Sequence, residues 1–80
     1  MKLYGYTEEE LEKDEPRPLH LTEITIGSNP DELRKIAKFL NDKADDIEEL
    51  KDGFEHEHIC DADSSFEGEP HIIVWNDASL

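Results

Sequence analysis

The run Glu55-His56-Glu57-His58-Ile59-Cys60-Asp61 holds the residues best suited to chemistry. In an extended segment His56 and His58 project from one face roughly 7 Å apart, near enough to reach one metal ion. Cys60 shares that face but is too far along the strand to join His56 easily. Third and fourth ligands would have to come from Asp61, Asp63 or His71, at no spacing that a metal demands. The expectation is no bound metal and no cofactor, with His56 and His58 kept as the candidate ligands. Nucleophilic chemistry is no better supplied. Cys60 is surrounded by acids rather than by the cations that generate a thiolate. Ser64 and Ser65 have no base assigned to them, no glycine-rich phosphate loop is present, and carboxylates this abundant carry no information as pairs. Catalysis is not expected.

The elements that must position these residues are legible in outline. Lys2–Tyr6 is β-prone, and Thr7–Pro18, with six acids and two prolines, reads as an exposed loop. Leu19–Ile26 is a second strand, its uneven alternation suggesting a bulge near Thr22-Glu23. The next element has full start signals: Asn29 as N-cap, Pro30 at the first helical position, and Glu32 three residues past the cap. Leu33, Ile36, Ala37, Leu40, Ala44 and Ile47 then form one expected buried stripe. Gly53 ends this helix after roughly six turns, about 33 Å. Phe54–Asp61 alternates strictly, Ala62–Pro70 has hairpin-loop composition, and His71–Asn76 is a β-branched run. The expected fold is therefore α+β, a single domain over residues 1–80 in the order β-β-α-β-β. Its four strands form one mainly antiparallel sheet with the long helix on one face.

Pairing Asp61 with His71 would put Phe54, His56, His58 and Cys60 on one face with Ile72, Val74 and Asn76. That more apolar face should meet the helix, making His58 a partly buried core histidine. Glu55, Glu57, Ile59, Ile73 and Trp75 would occupy the open face. An exposed tryptophan among carboxylates has the form of a binding patch, an aromatic anchor with an acidic surround; the alternative is a tryptophan that covers a thin core.

Charge narrows the partner. Asp and Glu number 22 against 8 Lys and Arg, a formal −14. Phosphate backbones require cations, so direct nucleic-acid binding is not expected, whereas a basic protein would be drawn in by the field. Between Asp42 and Glu69 there are 12 acids and two lysines, a net −10 over 28 residues. Asp45, Asp46, Glu48, Glu49 and Asp52 crowd the helix C-terminus, where the macrodipole is already negative and each exposed acid costs about 0.3–1 kcal/mol. An arrangement that opposes folding points to function. Trp75, Glu55, Glu57, Asp45, Asp46 and Glu49 are thus the expected partner-binding residues. The lone Cys60 excludes an intramolecular disulfide. No signal peptide and no apolar run near the ~20 residues of a membrane helix is present, so a cytoplasmic, membrane-free protein is expected.

Two blocks resemble a known family. Leu21-Thr22-Glu23-Ile24-Thr25-Ile26 with Ser28-Asn29-Pro30-Asp31-Glu32-Leu33-Arg34-Lys35-Ile36-Ala37-Lys38-Phe39-Leu40, and Phe54-Glu55-His56-Glu57-His58-Ile59-Cys60-Asp61 with Pro70-His71-Ile72-Ile73-Val74-Trp75-Asn76, resemble the immunity protein 32 family of bacterial polymorphic toxin systems. The likeness covers nearly the whole chain, and Phe-x-His-Glu-His is its most distinctive part. It implies a stoichiometric inhibitor of a cognate basic toxin, a nuclease among the options, and no catalytic residues. Two other readings stand beside it: a small metal-binding protein using His56 and His58, and a nucleic-acid mimic that occupies the groove of a DNA- or RNA-binding protein.

Overall fold

The computed structural model describes residues 1–68 and 70–79. The chain runs β1 (Leu3–Gly5), α1 (Glu8–Leu11), β2 (Leu19–Leu21), α2 (Pro30–Leu50), β3 (His56–His58), α3 (Ile59–Ala62) and β4 (Ile73–Trp75). Turns of 3₁₀ helix occupy Lys51–Gly53, Ser64–Phe66 and Asp77–Ser79. The fold is α+β with the expected order of strands and main helix. Glu69, part of the acidic run and of the expected hairpin loop, lies outside the described residues.

Asn29 begins α2 as its sequence demands. In extended backbone, its side-chain oxygen accepts the Glu32 N–H at 2.8 Å, and Pro30 follows at the first helical position. The Glu32 carboxylate accepts from the Ser28 hydroxyl. At the other end the expected cap moves. Lys51, not Gly53, takes the left-handed backbone, with φ 50° and ψ −118°, and its N–H donates to the Ile47 carbonyl.

The expected four-stranded sheet is not formed. Two separate antiparallel hairpins take its place, β1–β2 and β3–β4. Each strand is three residues long, so lateral joining would gain few hydrogen bonds against the cost of ordering. The second strand ends at Leu21 instead of Ile26, and Ile24 and Ile26 are left in solvent. Thr7–Pro18 is not wholly loop. Thr7 Oγ1 accepts the Glu10 N–H at 3.1 Å, and Glu8, Glu9 and Glu10 place their charge at the favourable positive end of α1. Glu10 then receives the Lys13 ammonium at 2.8 Å and the Arg17 N–H at 3.0 Å, which together hold its carboxyl below the usual range.

The core is small. Ile36, Phe39 and the fully buried Ile59 form its centre, with Phe66, Ile72 and Val74 packed against them. Complete burial of one such aliphatic side chain stabilises by about 1.5–3 kcal/mol. The expected helical stripe is only partly right. Ile36 is buried and Ile47 half-buried, but Leu33, Ala37, Leu40 and Ala44 are exposed, and Phe39 and Lys43 are buried instead. The apolar residues of 54–76 cover one strip of α2, and Phe39 offers that strip more apolar area than an alanine can. Among the described residues, neither strand of the β1–β2 hairpin contributes to this core; within the two strands only Leu3, Gly5 and Leu21 are half-buried.

Asn76 ties the helix end to the second hairpin. Its buried amide donates to the carbonyls of Lys51 and Phe54, both at 3.0 Å, and its oxygen accepts the Ala78 N–H at 3.2 Å. Asn76→Ala should therefore lower unfolding free energy by about 1–3 kcal/mol, since the carbonyls lose a buried donor. Lys51→Gly should raise it by about 1 kcal/mol, because glycine adopts this backbone without a Cβ clash. Urea unfolding at neutral pH measures both.

Candidate functional site

The β3–β4 hairpin pairs His56 with Trp75, Glu57 with Val74 and His58 with Ile73. The Ile59 N–H donates to Ile72 O and the Asn76 N–H to Glu55 O, both at 2.8 Å, extending the same register at each end. This lies one residue from the pairing of Asp61 with His71. A slip of one residue reverses the facing of one strand relative to the other. His56 and His58 therefore share their face with Trp75 and Ile73, not with Val74, and they point away from α2. The expected core histidine at 58 is a half-buried residue of the outer face. Cys60 leaves the strand altogether, because Ile59 turns the chain into α3.

His56 and Trp75 form the centre of the open face. Opposed side chains come closest at the pairs that do not exchange backbone hydrogen bonds, and here the two rings stack with centroids 4.4 Å apart and planes 14° from parallel. The His58 ring meets His56 edge-on at 5.5 Å. His56 Nδ1 lies 3.1 Å from Glu55 Oε1, within hydrogen-bond reach. Trp75 remains 41% exposed and Ile73 43%. The result is a shallow aromatic patch with an aliphatic edge and one carboxylate, Glu55, beside it.

The other expected site residues separate into two groups. Glu57 does not join Glu55 on the open face. It turns toward α2, where its carboxylate takes the Lys43 ammonium at 2.7 Å. Asp46 binds the same ammonium at 2.7 Å. Asp45 and Glu49 are exposed and, among the described residues, enter no ion pair. Trp75 and Glu55 thus lie together, Asp46 and Glu57 form a buried-edge cluster, and Asp45 and Glu49 line the helix rim.

Lys43, one of the two lysines in the acidic run, is the residue on which Asp46 and Glu57 converge. Its side chain is only 9% exposed, with the ammonium 5.7 Å from the Phe39 ring centroid and 6.0 Å from that of Phe54. Hydrogen bonds that the ammonium donates to Asp46 and then Glu57 hold its pKa above the ordinary lysine value, against the opposing effect of burial. The signal that could have found it is its place on the helix: it stands four residues after Phe39 and seven after Ile36, where an apolar core residue is due.

Metal chemistry finds no further support. Among the described residues, no three His, Cys, Asp or Glu side chains are grouped to hold an ion. Asp63, one of the candidate extra ligands, instead accepts the Ser65 hydroxyl at 2.7 Å and the Ser65 N–H at 3.0 Å, which lower its pKa. No helix among the described residues is long and apolar enough to cross a membrane.

Because the Lys43 ammonium has a higher pKa folded than unfolded, its contribution is complete below about pH 10.4, the ordinary lysine value, and is lost as pH rises through the folded value. The stability difference between the protein and Lys43→Met should therefore shrink at alkaline pH and stay constant across the neutral range. Lys43→Ala, which also removes the stem lying over two rings, should cost about 2–3 kcal/mol at pH 7. Paired urea titrations at several pH values test both.

In comparisons with known proteins, no family model, no curated protein and no solved structure matched this chain.

Proposed function

We propose that this chain is an acidic binding module that neutralises a basic protein by stoichiometric cover, the role implied by its resemblance to toxin immunity proteins. The observation that carries the reading is the exposed Trp75, stacked on His56 on the side of the hairpin away from α2. Interface energy concentrates in aromatic anchors enclosed by polar groups, and Trp75 has that setting with Glu55, His56 and His58 around it. The net −14 selects for a cationic partner and speeds its approach. A basic toxin domain, a nuclease among them, fits both requirements.

The acids then divide by role. Glu55 stands beside the anchor and can pair directly with a partner's cation. Asp45 and Glu49, exposed and unpaired among the described residues, act through the field. Asp46 and Glu57 share Lys43, so their net contribution to that field is smaller and their first task is to hold the hairpin on the helix.

Trp75→Ala should weaken binding to the cognate basic partner about thirtyfold or more, equivalent to about 2 kcal/mol, with circular dichroism unchanged. Retained affinity in a folded Trp75→Ala variant would remove the open face from the reading. Reversing Asp45 and Glu49 to lysine should slow association several-fold at low ionic strength, leave dissociation nearly unchanged, and lose its effect as salt is raised. Stopped-flow kinetics over a salt series separate the two contributions.

A further inference from the structure

The apolar stripe that α2 leaves in solvent has a period of its own. Leu33, Ala37, Leu40, Ala44 and Ile47 recur at intervals of four, three, four and three residues, the seam spacing of paired helices. At about 100° per residue this stripe lies about 90° around the helix from the Ile36, Phe39 and Lys43 ridge that meets the core. Leu33 is 43% exposed and Leu40 48%, with Ala37 and Ala44 exposed between them. Ile47 is half-buried, where the two stripes adjoin. The alanines leave room for a second helix to approach closely.

Charge identifies what covers the stripe. On its side away from the core, α2 presents Arg34, Lys38, Asn41, Asp45 and Glu48, basic toward the N-terminus and acidic toward the C-terminus. Among the described residues, Arg34, Asp45 and Glu48 enter no ion pair within the chain. Lys38 is bonded to Asp42 at 2.7 Å but remains well exposed. This polarity is self-complementary in one orientation. When two such helices run antiparallel, a single register sets Arg34 beside Glu48 of the other copy and Lys38 beside Asp45. That register also brings Ala37 to Ile47 of the other copy and Leu40 to Ala44. A parallel two-fold pair would instead turn this flank toward the core-facing side of the other helix, and none of these charges would meet. Antiparallel macrodipoles also attract, so the acids that crowd one C-terminus face the positive end of the other helix.

We infer that this face of α2 is a homodimer seam, two copies packing antiparallel about a two-fold axis through Leu33, Ala37, Leu40, Ala44 and Ile47. The contact is isologous, so it closes at two copies and does not propagate. The −14 on each copy opposes it at long range, whereas the seam pairs act at contact. Moderate salt, with a screening length of about 8 Å, therefore suppresses the repulsion more than the pairing. The seam is separate from the Trp75 face, so dimerisation and anchoring on Trp75 can be lost independently; Asp45 is the one residue common to the seam flank and the steering rim.

Analytical ultracentrifugation of the full chain over a concentration series at moderate salt is the test. The expected result is reversible dimerisation, abolished by Leu40→Glu, which changes an exposed residue and should leave the circular dichroism intact. Arg34→Glu should weaken the dimer about tenfold or more, and adding Glu48→Arg should restore it. Trp75→Ala should dimerise like the unaltered protein. A monomer at every concentration, or a dimer indifferent to both Leu40→Glu and Arg34→Glu, overturns the proposal.

Discussion

The Lys43 ammonium is the interaction on which the rest of this structure depends. The protein carries a net −14, and the apolar core that joins α2 to the β3–β4 hairpin is small. Lys43 adds a polar attachment to it. From inside the helix it draws Asp46 and, across the interface, Glu57, while its stem lies against Phe39 and Phe54. A buried ion pair is weak evidence of net stability in an ordinary protein, because desolvation offsets much of the attraction. Here the alternative to pairing is two adjacent uncompensated carboxylates, so the cation is worth more than it would be elsewhere. The same contact sets which face of β3 looks inward, since Glu57 must reach the helix. That requirement turns His56 and His58 outward, to meet Trp75.

How far the sequence could be read depended on whether the governing interactions were local. The start of α2 is set by Asn29, Pro30 and Glu32 within four residues, and it was legible to the residue. The existence of the second hairpin was legible from alternation and composition. Its register was not, because Phe54–Asp61 alternates equally well in either phase, and the choice between phases is made by Glu57 reaching Lys43 and by Ile59 leaving the strand. An error of one residue there kept Trp75 exposed, with Glu55 beside it, but removed Glu57 from its face and brought in His56 and His58. The helical stripe failed for a related reason. Periodicity reports which residues could be buried, but the extent of the covering layer decides which are, and two short hairpins cover less than a four-stranded sheet.

The acid at the end of α2, anomalous when the helix is considered alone, separates into distinct parts once the fold is known. Asp46 is structural and Asp42 is paired with Lys38. Asp45, Glu48 and Glu49 remain without intrachain ion pairs among the described residues. A composition that first looks like uniform solubilising charge is thus divided between attachment, local helix pairing and surface. Only the last class is available to set association rates or partner choice. Substitutions spread evenly over the acidic run would mix these effects, and a loss of binding could not then be told from a loss of fold.

The separation of the two hairpins has a consequence for how the chain reaches its native state. Each strand pairs with its neighbour in sequence order, across connections of about a dozen residues, and the long helix between them is closed by its own backbone. No strand waits for a distant partner. Chains built from such near-neighbour contacts lose little loop entropy before contacts repay it, and they fold toward the fast end of the known range. The N-terminal hairpin, sharing no core with the rest, is free to form last or to open first. Its amide protons should therefore exchange with solvent through local openings far more often than those of Ile36 or Ile59.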